Sequence, residues 1–269
     1  MIDQNSQNRE NSLVKSSYTV GGMTFISRIS GFVRDILFAN IFGASSHTDA
    51  FFVAFKIPNF FRRLFAEGAF IQSFVPVLND YKVNNPIELK RFIGYVQGNL
   101  ALILFIITFF GIIFSENIVG TFAPGFKVGG ERYLLASDML RITFPYLFFI
   151  ALTAMSAGIF NTFNKFLLPA ITPVFLNISL IFSALYLTDI FSTPIMALAY
   201  GVLIAGILQY IIQIPFLYKI DLLVVPKISF KFSGVNKVMK LMLPAILGTA
   251  VVQINLMVDS IVASLLVSG

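Results

Sequence analysis

The sequence contains no cysteine and no tryptophan, and its single histidine is His47. Without cysteine, the chain forms no disulfide, supplies no thiolate to a metal and has no thiol nucleophile. Charged residues are also scarce, because they make up 12% of the 269 residues, about half of the roughly 25% found in soluble domains. These absences exclude a disulfide scaffold, a cysteine-based metal site and a thiol enzyme, and they leave few groups for hydrolytic chemistry.

Apolar residues dominate what is present. They account for 57% of the chain, with 31 phenylalanines, and the mean hydropathy is +0.84. A soluble globule of this composition would expose a mostly apolar surface, and a disordered chain would be far more polar. The composition therefore predicts an all-α polytopic membrane protein.

Seven segments are long enough to cross a bilayer, whose hydrocarbon core requires about 20 residues of helix. Two of them, 18–42 and 50–78, contain charged residues. The other five are almost entirely apolar: 93–114, 140–160, 167–187, 194–217 and 238–267. Short connections predict that neighbouring helices pack antiparallel in a bundle, and Gly94 and Gly98 would let one helix approach another closely.

Basic residues are concentrated in the connections on one side of these spans. Eleven lysines and arginines lie in the polar N-terminus 1–17 and in 79–91, 161–165 and 218–240. The opposite connections carry only Lys127 and Arg132. Because cytoplasmic loops are the basic ones, we expect the N-terminus in the cytoplasm and Gly269 on the periplasmic side. The formal charge of +6 is then explained by topology, and no nucleic-acid partner is predicted.

Ten charged residues fall inside the predicted spans or at their ends. A charge at mid-membrane costs at least ~2.5–3.5 kcal/mol, so each must face a partner or a watery cavity, or reach the surface. Arg28 and Arg62 lie near the middle of their spans, which favours a cavity-facing role over snorkelling. Arg34 has an alternative, because Asp35 or the outer interface could satisfy it.

The second span carries a polar stripe at i, i+3, i+7 and i+11, formed by Lys56, Asn59, Arg63 and Glu67. Because Arg63 and Glu67 are an i,i+4 pair, a structural ion pair and a ligand site are both open for them. Asp138 and Arg141, three residues apart, are predicted to form an interfacial pair.

An arginine cluster within a bilayer requires an anion. Guanidinium groups bind phosphate through two parallel charge-assisted hydrogen bonds and do not lose their charge. The sequence therefore predicts a phosphate- or carboxylate-bearing ligand, such as an amphiphile with a phosphate head and a lipid tail.

Five extended motifs point to a known family. The segment 27–82 reads SRISGFVRDILFANIFGASSHTDAFFVAFKIPNFFRRLFAEGAFIQSFVPVLNDYK, and the others are FAPGF at 122–126, ITFPYLFFI at 142–150, GIFNTFNKFLLPAITPVFLNIS at 158–179 and PAILG at 244–248. These motifs closely resemble the MurJ (MviN) family of the MOP superfamily, and the resemblance covers nearly the whole chain from about residue 17 onwards.

The resemblance implies a fold and a function. Members of the family carry lipid II, the undecaprenyl-diphosphate-linked peptidoglycan precursor, across the bacterial inner membrane by alternating access. They have two six-helix lobes around a basic central cavity, followed by two further helices. By this resemblance, residues 18–217 form the first lobe, 218–237 a basic cytoplasmic connection and 238–269 the first helix of a second lobe.

The family's functional residues carry over motif by motif. Its cavity arginines, in the SR…GFxRD and PNxxRR motifs, match Arg28, Arg34 and Arg62. Its functional acids, in TDAFF and FAEGAF, match Asp49 and Glu67, although Asp49 by itself looks like an ordinary helix-start residue. These five residues are the expected substrate-binding set.

Asp259, in the last predicted span, allows two interpretations. It lies ten residues before Gly269, so its carboxylate could reach interfacial water. Asn255 lies four residues earlier, with Gln253 nearby, and carboxylate and amide oxygens are the ligands that hard cations prefer. By the resemblance, Asp259 is a partial sodium ligand whose fellow ligands lie on helices of a second lobe, and no other cofactor is expected.

Members of the family are about twice as long, so we expect this chain to be an incomplete half that lacks its C-terminal partner half. One alternative is a truncated membrane scaffold that does not transport. Another MOP-type exporter, of polysaccharide-lipids or drugs, is the closest alternative, although arginines favour a diphosphate over a cationic drug. An enzyme is not expected, because loop acids are isolated, and no GxxxxGK motif supports ATP hydrolysis.

Cysteine labelling tests the orientation, because the chain has no cysteine of its own. The variants Ser46→Cys and Val128→Cys should react with an impermeant thiol reagent added outside the inner membrane. The variants Asn85→Cys and Phe230→Cys should react only after the membrane is opened. The reverse pattern would overturn the orientation.

Overall fold

The computed structural model describes residues 2–265, apart from the side chains of 2–17, 19, 66, 67, 252, 256 and 260. The chain is 83% helical and its described residues contain no strand, which confirms the all-α fold. The predicted periplasmic end at Gly269 lies outside the described residues. The α-helices are α1 (Ile2–Ile41), α2 (Ser46–Phe61), α3 (Ile71–Asn84), α4 (Leu89–Ile113), α5 (Ser115–Phe122), α6 (Glu131–Thr143), α7 (Tyr146–Thr162), α8 (Leu167–Tyr186), α9 (Met196–Ile211), α10 (Ile214–Lys219) and α11 (Ser233–Ser264).

The five apolar spans of the sequence correspond to helices of sufficient length. Four helical stretches are long and apolar enough to cross a membrane: Pro86–Ile113, Glu131–Thr162, Leu167–Tyr186 and Met196–Lys219. The fifth is α11, whose halves Ser233–Val251 and Gln253–Ser264 meet at a bend of 43°. The two charged spans fall on α1 and on α2–α3, which do not meet this criterion, so the count of seven crossings stays a prediction.

A π-helix (Arg62–Phe70) joins α2 to α3, so that the chain is helical from Ser46 to Asn84 without interruption. Ser45 caps the N-terminus of this helical segment, because its side-chain oxygen accepts a hydrogen bond from the backbone N–H of Thr48 at 3.2 Å. Within the π-helix each N–H bonds five residues back instead of four, so side chains follow a wider turn than in α2. This change of register falls at the arginines of the PNxxRR motif.

The core lies around α7, which contributes to both hydrophobic clusters of the fold. Tyr146, at its start, packs in one cluster with Phe51 of α2. Ile159 and Phe160, near its end, pack in the other with Phe92 of α4. All five side chains are at most 2% exposed. Because its start packs in one cluster and its end in the other, α7 is the central helix of the fold.

The connection between α10 and α11 is extended and lies against α4. Lys227 donates its backbone N–H to the carbonyl of Gly94 at 2.9 Å, and Asn99 Nδ2 donates to the carbonyl of Ser229 at 2.9 Å. A Cβ added to Gly98 would lie 2.2 Å from the carbonyl oxygen of Lys227. The expectation that Gly94 and Gly98 accommodate another helix is therefore wrong. An extended segment has unpaired backbone groups, and only glycines let those groups reach the backbone of α4.

Two ion pairs hold the ends of this connection. Lys90 Nζ lies 2.6 Å from Asp221 Oδ2, and Lys237 Nζ lies 2.7 Å from Asp80 Oδ2. The hydrogen bond from Lys237 keeps the pKa of Asp80 below its ordinary value. The contribution of that pair to stability is therefore present at neutral pH and is lost as the pH falls through the lowered pKa.

Substitution of Gly98 tests whether the connection is docked. Gly98→Ala should lower the melting temperature of the detergent-solubilised protein, because the new Cβ displaces the backbone of Lys227. Gly248→Ala is the matched control, since no atom lies within 4 Å of a Cβ there and alanine is the better helix former by about 1 kcal/mol. Equal stabilisation by both substitutions would show that the segment does not lie on α4.

Candidate functional site

A cavity of about 520 Å³ lies between α1, α2, the π-helix, α5, α8 and α11. Its polar lining includes four cationic side chains, those of Arg34, Lys56, Arg62 and Arg63, and one acid, Asp259. Its apolar lining is largely aromatic and comes from Phe52, Phe55, Phe60, Phe122, Leu176 and Met257. The cavity thus combines an excess of positive charge with apolar walls.

Arg34 is held in place by two neighbouring groups. Its Nη1 donates to Asn177 Oδ1 of α8 at 2.9 Å, and its Nε and Nη2 donate to Asp35 Oδ1 at 2.9 and 2.7 Å. Asn177 is itself fixed, because its Nδ2 donates to the carbonyl of Ser27 and to Ser30 Oγ on α1. Both sequence alternatives for Arg34 are therefore realised, since it pairs with Asp35 and also lines the cavity.

Arg62 is oriented by the asparagine of its own motif. Its Nε donates to Asn59 Oδ1 at 3.1 Å, and Asn59 Nδ2 in turn donates to the carbonyl of Phe55 at 2.9 Å. The asparagine thus satisfies a guanidinium N–H with a neutral acceptor. Arg62 lines the cavity, and its substrate-binding role stays a prediction.

Lys56 and Arg63 also line the cavity, and neither was in the expected substrate-binding set. The i,i+4 spacing had left Arg63 open to a structural pair with Glu67, whose side chain lies outside the described side chains. That spacing assumes an α-helix, whereas Arg63 stands in the π-helix. Both arginines of PNxxRR line the cavity. The available signal in the sequence was the polar stripe, whose members Lys56, Asn59 and Arg63 all line the same cavity.

Arg28 and Asp49 lie apart from the cavity. Arg28 is exposed on α1 and is not among its described lining residues. Asp49 Oδ2 lies 3.6 Å from Arg132 Nη1, whose guanidinium stands over the ring of Phe126 at 4.4 Å. Asp49 therefore links the start of α2 to α6, and its substrate-binding role, like that of Arg28, stays a prediction.

Arg141 has three partners at the junction of α5 and α6. Its guanidinium donates to Asp138 at 2.8 Å, to Glu116 at 2.7 Å and to Ser115 Oγ at 3.0 Å. The predicted pair of Asp138 and Arg141 is confirmed, and Glu116 extends it to a triad. This cluster ties α5 and α6 together and pairs Arg141 with two carboxylates.

Asp259 is exposed and faces the cavity, where Gln253 of the same helix is buried. Among the described residues, no group of three or more histidine and acidic side chains could hold a metal ion. Asp259 is consequently a single anionic ligand here, opposite four cations. The arrangement suits binding of an anion by charge and hydrogen bonds, and Asp259 is the one acid among its described lining residues.

Comparisons with known proteins agree on one family. Residues 38–269 match the family model described as "Lipid II flippase MurJ". The chain is 48% identical over 258 residues to a probable lipid II flippase MurJ of Buchnera aphidicola subsp. Schizaphis graminum, covering 96% of this chain and 50% of the relative. It is 45% identical over 265 residues to the probable flippase MurJ of Vibrio cholerae, again over 96% and 50%.

A solved structure gives the same result for the fold. The lipid II flippase MurJ in an inward closed conformation matches with a TM-score of 0.77 and 34% sequence identity, covering 93% of this chain and 51% of that chain. The chain spans about half the length of the curated relatives it matches.

Proposed function

The chain belongs to the MurJ family of lipid II flippases, and from this membership we propose that it forms the first lobe of a transporter for an undecaprenyl-diphosphate-linked peptidoglycan precursor. The transporter is a multi-pass protein of the bacterial inner membrane, and a second lobe completes its path. The cargo enters from the cytoplasmic leaflet and leaves toward the periplasm as the two lobes rock against each other.

The charge of the cavity is the observation that carries the proposal. Arg34, Lys56, Arg62 and Arg63 face a space in which Asp259 is the only described acid. A diphosphate carries negative charge on each phosphate and offers acceptors that match the guanidinium fork. A cationic drug would instead meet repulsion, which favours a lipid diphosphate over the cargo of a drug exporter.

The aromatic lining supports an amphiphilic cargo. Phe52, Phe55, Phe60 and Phe122 place apolar rings beside the cations, so phosphate and apolar groups of one molecule find partners in the same cavity. Water is a poor competitor for the aromatic faces, and the desolvated surroundings strengthen each ionic contact. This combination suits a phosphate head joined to a hydrocarbon tail.

We assign roles in entry and gating to the other three residues of the expected substrate-binding set, which are Arg28, Asp49 and Glu67. Arg28 lies about 9 Å before Arg34 along α1 by helical rise, where it receives the headgroup before the cavity arginines do. Asp49, through Arg132, keeps α2 and α6 together on the predicted periplasmic side. Glu67 supplies a counter-charge to the doubled arginine when the cavity is empty.

Replacement of Arg62 tests the proposed ligand. Arg62→Ala should weaken binding of undecaprenyl diphosphate to the protein in nanodiscs about ten- to hundredfold, because a hydrogen bond to a charged group contributes about 1.5–3 kcal/mol. Arg62→Lys should restore part of the affinity, since lysine keeps the charge but lacks the planar fork. Lys127→Gln removes an equal charge outside the cavity and should bind normally. Unchanged affinity in Arg62→Ala would contradict the proposal.

Asp259 is further proposed as a partial sodium ligand that a second lobe completes. When this chain is joined to the second half of a curated relative, sodium should raise the melting temperature and lithium or choline should not. Asp259→Asn should remove the effect of sodium, because an amide lacks the charge that a hard cation prefers. A sodium response that survives Asp259→Asn would leave Asp259 with only an interfacial role.

A further inference from the structure

Gln209, near the end of α9, and Gln213, in the turn between α9 and α10, converge on a single residue of α8. Gln209 and Gln213 are 2% and 1% exposed, so both carboxamides lie inside the protein. Gln209 Nε2 donates to the carbonyl oxygen of Thr172 at 2.9 Å, and Gln213 Nε2 donates to Thr172 Oγ1 at 3.5 Å. The two amide groups therefore meet at one turn of α8, four residues before Leu176 of the cavity lining.

The protons available at Thr172 determine how both amides are turned. The carbonyl oxygen of Thr172 has no proton, so Gln209 must present its NH₂ group there. Thr172 Oγ1 gives its only proton to the carbonyl of Leu168 at 2.8 Å, so toward Gln213 it acts as an acceptor. Exchanging N and O in either amide would set two acceptors against each other. Both Oε1 atoms consequently point away from Thr172.

Neither amide oxygen has a donor from the protein. Within the described residues, Gln209 Oε1 and Gln213 Oε1 are both buried without a hydrogen-bond partner. Gln97 and Tyr210, the neighbouring polar pair, are bonded to each other at 3.0 Å. Pro173 follows Thr172 and brings no N–H to this turn. Buried acceptors without donors are rare in native proteins, and two adjacent ones indicate a donor from outside the chain.

We propose that the interface of α8 and α9 contains a built site for one ordered water molecule, which donates one hydrogen to Gln209 Oε1 and the other to Gln213 Oε1. Two donor hydrogens match two acceptors, and buried waters typically make two to four such bonds. A monovalent cation fits less well, because Gln209, Gln213 and Thr172 are neutral and a desolvated charge without a counter-charge is far more costly.

The site has a consequence for the position of α8. The same helix carries Asn177, which braces Arg34 from about one and a half turns further along. The two Nε2 groups bond directly to Thr172 of α8 at the turn before Pro173, where the helix lacks one backbone N–H, and the water holds both amides in the orientation that these bonds require. The water is thus a structural component of the lobe, and the inference does not depend on which cargo the protein carries.

High-resolution density tests the site directly. A crystal structure of the protein at about 2.5 Å or better should contain a peak within hydrogen-bond distance, roughly 2.7–3.2 Å, of both Oε1 atoms. No peak, or a peak that acquires anomalous signal after exchange into thallium, would overturn the water assignment, the second in favour of a cation.

The melting temperatures of glutamine variants give an independent test, because a hydrated site and a dry site predict changes of opposite sign. If water satisfies Gln213, then Gln213→Met loses a hydrogen bond and the melting temperature should fall by about 2–4 °C. If the site is dry, the same change removes an unsatisfied acceptor, and the melting temperature should stay the same or rise. Gln72→Met, at an exposed position of α3, controls for the effect of methionine. A fall for Gln213→Met alone supports the proposal, and any other result contradicts it.

Discussion

An arginine in the hydrocarbon region of a bilayer has to be hydrogen-bonded, ion-paired or hydrated, because its bare charge costs at least ~2.5–3.5 kcal/mol there. In this chain Arg34 and Arg62 each donate to an asparagine. A neutral amide satisfies part of a guanidinium without cancelling its charge. Arg34 is in addition ion-paired with Asp35 at 2.7 Å. Asn177 holds α8 beside α1, because it accepts from Arg34 and donates to Ser27 and Ser30.

The connection between α10 and α11 packs on an earlier part of the fold, and this contact positions α11. The connection after α10 lies on α4 through Gly94 and Gly98, and α11 then returns to the cavity with Gln253 and Asp259. A docked connection fixes where α11 begins, while the 43° bend within α11 changes direction close to the cavity lining. α11 thus contributes to the cavity while its start is held against α4 by the docked connection.

The sequence predicted the features that depend on residues close together in the chain. Apolar length predicted four spans that helices of sufficient length confirm, and a fifth that falls on the bent α11. The depth of Arg62 in its span favoured a cavity-facing role, and Arg62 lines the cavity. Helical spacing placed Lys56, Asn59 and Arg63 on one polar stripe, and all three line the cavity, but the spacing alone did not decide between a structural ion pair and a ligand site for Arg63. The partner of Gly98 was also missed, since a stripe of small residues does not reveal whether a helix or an extended segment will lie against it.

The most direct measurement is a structure of the protein with undecaprenyl diphosphate bound. We expect both phosphorus atoms inside the cavity, with phosphate oxygens within hydrogen-bond distance of Arg34 and Arg62. The tail should leave along the phenylalanines of the cavity lining. Phosphates ordered only at the exposed Arg28, or elsewhere on the surface with the cavity unchanged, would contradict the claim that this cavity binds the headgroup.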